Sequence, residues 1–135
     1  VPDAATARAC LAAGARFIVA PWVDPALVEP CREADALLML GAVTPTEVRA
    51  ARAAGADVVK IFPASSVGGP GHIKALASVF PGVAFCPTGG VEPGNVQAFL
   101  SAGAAFVGMG GALVDEKRIA AGDRAAIEAA AKAIL

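Results

Sequence analysis

Three stretches of this chain share one pattern: LAAGARFIVAP (Leu11–Pro21), RAAGADVVKIFPA (Arg52–Ala64) and LSAGAAFVGMGG (Leu100–Gly111). Each runs from an Ala-rich helical end through a glycine into an apolar strand. Gly14, Gly55 and Gly103 fall where a helix C-terminus favours a left-handed residue. A weaker fourth copy, CREADALLMLGAV, sets Ala-Asp where the others have Gly-Ala. A fifth, VFPGVAFCPTGG, breaks on Pro81-Gly82. A chain built this way alternates helix and strand throughout. The pattern predicts helices over 3–13, 25–34, 45–54, 70–79, 93–102 and 123–134, and strands over 16–20, 37–42, 57–62, 83–87 and 105–109.

Local signals support these elements. Pro2, Pro25, Pro45 and Pro93 stand near expected first turns, where the missing N–H costs nothing. Thr44 reads as an N-cap, with Glu47 three residues on completing a capping box. The strands are apolar on both faces, as parallel strands under helices are. The class is therefore α/β. Five strands can form an open doubly wound sheet or part of a (β/α)8 barrel. A whole barrel takes roughly 250 residues, and this chain has 135.

Composition removes several function classes. With 56% hydrophobic and 17% charged residues, disorder is excluded. The apolar runs are short and broken by Gly, Pro and charges, below the ~20 residues of a spanning helix. A net charge of −1 with scattered basic residues offers no capture surface for nucleic acid or an acidic membrane. No charged-then-apolar leader opens the chain. It starts at Val1 without methionine, so processing, trimming or excision from something longer is expected. Cys10, Cys31 and Cys86 are odd in number and lack CxxC spacing, which argues against a disulfide framework or zinc site and for a reducing, cytoplasmic setting. Cys10 and Cys31 read as small core residues.

In α/β folds of either kind, chemistry gathers at the C-terminal ends of parallel strands. Lys60 stands out there, an ammonium inside the apolar run VVKIF. Strand alternation puts Val58, Lys60 and Phe62 on one face and Val59 and Ile61 on the other. If helices cover Val59, Lys60 points to the centre. The competing reading is a lysine that snorkels from a strand end to solvent. A desolvated lysine deprotonates more readily, and a neutral amine condenses with ketones to form a Schiff base.

Two glycine-rich strand ends follow: Thr88-Gly89-Gly90 and Gly108-Met109-Gly110-Gly111. Glycines let backbone N–H groups approach an anion closely. GMGG is not GxGxxG, so no dinucleotide site is read. His72, the one histidine, lies at a helix start and leaves a metal cluster or histidine-based triad little to build on. Lys74 reads as a surface residue, Trp22 as a pocket-mouth or packing residue, and Asp115, Glu116, Lys117 and Arg118 as a solvated turn.

Taken in order, VKIFPA, a Gly-rich segment with KAL, FCPTGGVEPGNV and GMGGALV resemble the KDPG/KHG aldolase family, the class I aldolases of 2-keto-3-deoxy-6-phosphogluconate and 4-hydroxy-2-oxoglutarate. GARFIVAPWVDPALV is similar to that family's fourth strand. The resemblance implies a (β/α)8 TIM-barrel type fold, here about five βα units of an incomplete barrel. Residues 1–135 would be a single domain, the C-terminal part of that barrel. It implies Lys60 as the Schiff-base lysine, and Thr88, Gly89 and Gly90 with Gly110 and Gly111 as substrate- and phosphate-binding loops. Phe62 would pack on the substrate and Pro21 on the pocket wall.

It further implies a phosphorylated 2-oxo acid substrate cleaved to pyruvate and an aldehyde, no metal or cofactor, and a homotrimer. Two departures stand out. Ala112 takes the place of a serine that many relatives have. The family's acid/base glutamate, an arginine near it and a carboxylate-binding threonine belong to strands this sequence does not include. The alternative is a non-catalytic phosphate-binding fragment or interaction module. An isomerase or epimerase on the same barrel would need carboxylates or histidines at strand ends, which the sequence does not place there. A partial barrel exposes two sheet edges, so a lone chain is expected to be unstable or to associate.

Overall fold

A computed structural model of the chain describes residues 1–114 and 116–134. Four parallel strands, β1 (Phe17–Ala20), β2 (Leu37–Ala42), β3 (Val58–Ile61) and β4 (Phe85–Pro87), lie side by side in chain order. The helices are α1 (Ala4–Ala12), α2 (Val28–Glu33), α3 (Pro45–Ala54), α4 (Gly69–Val79), α5 (Val96–Ser101), α6 (Glu116–Ala120) and α7 (Arg124–Lys132). Short 3₁₀ turns, Pro25–Leu27 and Ser65–Val67, lead into α2 and α4. The class is α/β, as the alternation predicts.

Strand alternation divides the sheet into two unlike faces. Ile18, Ala20, Leu38, Leu40, Val59, Ile61 and Phe85 are buried in one cluster with Leu27, Cys31, Val48, Ile73, Leu76 and Phe99 from the helical side. The intervening residues are less uniform: Phe17 is 54% exposed and Leu37 53%, Val19, Met39 and Lys60 are half-buried, and Val58 and Cys86 are buried. Helices therefore cover one face of apolar strands, and the other carries Lys60.

The repeat is real at the level of hydrogen bonds. Where helix meets strand, Ala15 N–H donates to Cys10 O (3.0 Å), Ala36 to Cys31 (2.9 Å), Ala56 to Ala51 (3.0 Å) and Ala104 to Phe99 (3.2 Å). This six-to-one closure is the Schellman arrangement, and it requires a left-handed residue just before the donor. Gly14, Gly55 and Gly103 supply it at φ +97°, +110° and +108°. In the fourth copy Asp35 fills the slot at φ +49°. That corrects the alignment of Ala-Asp with Gly-Ala by one residue: Asp35 replaces the glycine itself, which its short polar side chain permits.

Capping agrees in part with expectation. The Thr44–Glu47 box is formed, with Glu47 accepting from Thr44 N–H at 2.7 Å and Thr44 Oγ1 accepting from Glu47 N–H at 3.3 Å. Pro25 and Pro45 begin their elements. Pro2 does not: it precedes Asp3, the N-cap of α1, which accepts from Thr6 N–H at 2.7 Å. Pro93 also lies outside its helix. Residues 92–95 close a turn first, Asn95 N–H donating to Glu92 O at 3.0 Å, so α5 starts at Val96 rather than at 93.

Two other expectations change. The strand expected over 105–109 reduces to one parallel bridge, Thr88 with Gly108, beside β4. The segment runs along β4, with Ala105 N–H on Phe85 O and Gly108 N–H on Pro87 O. Its glycines weaken extended pairing, and Gly108 is needed because a Cβ there would lie 2.3 Å from Thr88 Oγ1. Glu116, Lys117 and Arg118 form the first turns of α6 rather than a bare turn, although they are exposed. Asp115 lies outside the described residues.

Candidate active site

Lys60 is the third residue of β3, in register with Gly41 of β2 and Cys86 of β4. The buried Val59 and Ile61 fix its direction, since their side chains take the helical side. Lys60 lines a cavity of about 380 Å³ on the open face with Phe17, Val19, Met39, Cys86 and Thr88. Among the described residues no carboxylate pairs with its Nζ. The nitrogen stands 5.0 Å from the centroid of the Phe62 ring. Cys86 lies directly across the strand pair. Burial pushes its thiol above the ordinary 9.0, against weaker downward pulls from Thr88 and Lys60, so it is a neutral group at pH 7.

A second cavity, about 290 Å³, adjoins the first. Phe62, Thr88 to Glu92 and Gly110 to Ala112 line it, and Thr88 belongs to both. Gly89 and Gly90 take φ +90° and +72°, conformations that disfavour a side chain. The loop's carbonyls are occupied from outside. Thr88 O accepts from Ala64 N–H (2.8 Å) and Gly89 O from Ser65 N–H (3.0 Å). Gly110 O accepts from both Leu113 and Val114 N–H, at 2.8 and 2.9 Å. The N–H groups of Gly89, Gly90, Gly111 and Ala112 donate to no acceptor among the described residues. Free N–H donors, with the Thr88, Gly89 and Gly110 carbonyls turned to other partners, suit an anion at the glycine end of the cavity, while the Glu92 side chain lines it as well. The Ala112 methyl adds no donor of its own.

The structure therefore brings Lys60, Phe62, Thr88, Gly89, Gly90, Gly110 and Gly111 to two adjoining cavities. It does not bring Pro21, which is exposed past β1 and lines neither. The Pro21 backbone instead crosses Gly41, where a Cβ would meet its carbonyl carbon at 2.1 Å. Trp22 is 49% exposed, with its carbonyl on Gly41 N–H. His72 Nε2 donates to Val43 O at 2.7 Å and ties α4 to the end of β2. Lys74 is exposed on α4. Among the described residues no three of His, Cys, Asp and Glu gather as metal ligands, and no helix is long and apolar enough to cross a membrane.

Sequence reasoning missed Cys86, Ser65 and Asn95. Cys86 was detectable, because it is two residues before Thr88 and so shares its face. Ser65 and Asn95 act through loop geometry, which no spacing rule exposes.

The family model for KDPG and KHG aldolase matches residues 1–130. The chain belongs to this family. It is 35% identical over 117 residues to a 2-dehydro-3-deoxy-phosphogluconate aldolase of Treponema pallidum, covering 87% of this chain and 56% of that protein. It is 39% identical over 101 residues to a probable 2-dehydro-3-deoxy-6-phosphogalactonate aldolase of Rhizobium meliloti, covering 74% of this chain and 47% of that one. The chain thus spans about half the length of the curated relatives it matches. Among solved structures, a KDPG aldolase from Legionella pneumophila with pyruvate captured as a covalent carbinolamine superposes with a TM-score of 0.85 at 29% identity, over 98% of this chain and 63% of that one. With such neighbours the α/β architecture is of the TIM-barrel type.

Proposed function

We propose that this chain carries the nucleophile and distal-anion part of a class I aldolase site, acting on a 2-oxo acid of the 2-keto-3-deoxy-6-phosphogluconate kind. The observation that carries this reading is the adjacency of the Lys60 cavity and the glycine-loop cavity, joined at Thr88. The carbinolamine reported for the Legionella relative supports the same chemistry here.

Lys60 Nζ, once it has given up a proton, attacks the C2 ketone, and loss of water from the carbinolamine gives an iminium. As the C4 hydroxyl gives its proton to water, C3–C4 breaks, its electron pair moves toward the iminium nitrogen to leave an enamine, and the distal fragment departs as an aldehyde. Protonation at C3 and hydrolysis return Lys60 and release pyruvate. The iminium is the electron sink. The free N–H groups of the two glycine loops hold a distal phosphate, and the Phe62 ring packs beside the reacting carbons. Pro21 belongs to this reading only as a wall approached by a larger substrate. Residues 1–135 act as one domain corresponding to the C-terminal part of the aldolase barrel, in a cytoplasmic homo-oligomer, a trimer by family resemblance.

The test is reductive trapping. Borohydride with pyruvate should add a mass to the chain that maps to Lys60, and Lys60→Ala should abolish it. Persistence of the adduct in that variant removes Lys60 as nucleophile.

A second reading is favoured by one observation: no carboxylate or histidine lines the Lys60 cavity. General acid/base help contributes roughly 10²–10⁴-fold. The chain alone could then bind phosphate and form the adduct without turnover, as a non-catalytic phosphate-binding module. Adduct formation without aldehyde release distinguishes the two.

A further inference from the structure

The Gly90 carbonyl receives two side-chain donors from different segments. Ser65 Oγ, on the loop after β3, donates to it at 2.7 Å, and Asn95 Nδ2, on the turn before α5, at 3.0 Å. Asn95 uses its other end as well: its Oδ1 accepts from Glu92 N–H at 2.9 Å, so one amide closes the turn 90–95. Gly89 and Gly90 both have positive φ, and glycine peptides rotate with little steric resistance. Left alone, the peptide joining Gly90 to Val91 presents either the Val91 N–H or the Gly90 C=O to the cavity, which Val91 also lines. Only the first orientation is compatible with an anion.

We infer that Ser65 and Asn95 are positioning residues that hold the Gly90 carbonyl away from the cavity, and so hold the Thr88–Val91 backbone in its anion-binding orientation. The inference rests on the phosphate-loop reading given above. Neither residue lines the cavity, so neither needs to touch the ligand. The fit is close on the Ser65 side, since a Cβ on Gly90 would stand 2.4 Å from Ser65 Oγ. Every carbonyl from Thr88 to Gly90 is then engaged from outside the loop: two by backbone N–H groups, the third by these side chains.

The experiment is titration of the 135-residue chain with inorganic phosphate, followed through the amide resonances of Gly89 and Gly90. In parallel, pyruvate and borohydride trap Lys60. Ser65→Ala should weaken phosphate roughly two- to tenfold, the range one neutral hydrogen bond carries. Ser65→Thr, which keeps the hydroxyl, should restore it. Asn95→Ala should weaken phosphate too, and the double variant should lose less than the product of the single losses, because both donors hold one carbonyl. Pyruvate trapping, which involves no phosphate, should be unchanged in all of them. Unchanged phosphate affinity in Ser65→Ala, or no phosphate binding by the parent chain, overturns the inference. Absence of trapping in the parent chain instead overturns the aldolase reading and leaves the phosphate result standing.

Discussion

Lys60 Nζ lies 5.0 Å from the centre of the Phe62 ring, and the same ring forms one wall of the glycine-loop cavity. Phe62 thus stands between the amine and the distal site. Its edge is also where a side chain on Gly89 would collide, 3.1 Å from Cδ2 and Cε2. One aromatic side chain therefore shapes both halves of the site, although it lies just beyond the last residue of β3.

Phe62→Ala should damage both functions. Removing the ring opens the distal cavity and takes away the surface beside which Lys60 rests. Pyruvate trapping at Lys60 should slow, and phosphate affinity should fall several-fold. At 41% exposure Phe62 is not a core residue, so the thermal melt should move little. A large loss of stability with intact trapping would assign Phe62 to packing.

Gly41→Ala should destabilise the chain. Its Cβ would lie 2.1 and 2.2 Å from the carbonyl carbon and oxygen of Pro21, which is backbone and cannot swing aside. Overpacking of this kind costs about 1–3 kcal/mol. Urea unfolding should show a lower midpoint. An unchanged midpoint would mean that the loop after β1 relaxes freely.

The sequence carries the fold clearly because the repeat writes the same hydrogen bond at each helix-to-strand joint. Asp35 shows its limit: a side chain in the glycine slot hid the true register of the fourth copy. The strand expected at 105–109 failed for a related reason, since apolar residues alone do not reveal that Gly108 must make room for Thr88. The site was legible where side chains carry it. Parity gave the direction of Lys60, and glycine pairs marked the two loops. Pro21 came from resemblance alone, and what the structure adds is a tertiary fact, the crossing of its backbone over Gly41. Ser65 and Asn95 were invisible because they act on a carbonyl that every residue possesses.

The α3 cap should make stability sensitive to acid. Hydrogen bonds from Thr44 and Val43 N–H, with the Thr44 hydroxyl, hold the Glu47 carboxyl below its ordinary 4.5. A depressed carboxylate contributes stability above its unfolded value and loses it as pH falls through the folded one. The contribution should be complete near neutrality and fade below about 4.5. Thr44→Ala should cost about 1 kcal/mol at pH 7. Glu47→Gln should flatten the acid limb of the melting curve. An acid limb identical in Glu47→Gln and the parent would remove Glu47 from that transition.

Cys86 should report occupancy of the Lys60 cavity. Burial raises its thiol above 9.0, so little thiolate exists at neutral pH, and alkylation requires both deprotonation and entry to the cavity. Iodoacetamide at pH 7.5 should therefore modify Cys86 more slowly than a free thiol, with the rate still rising as pH passes 9. Stability runs the opposite way, being lost as pH climbs through the raised value. Lys60 and Cys86 are register partners on one face, so a reduced pyruvyl group on Lys60 should fill the space before the thiol. Peptide mapping should show Cys86 protected in the adduct and alkylated in its absence. Equal alkylation in both would place the trapped group outside this cavity, and with it the site of carbon–carbon bond cleavage.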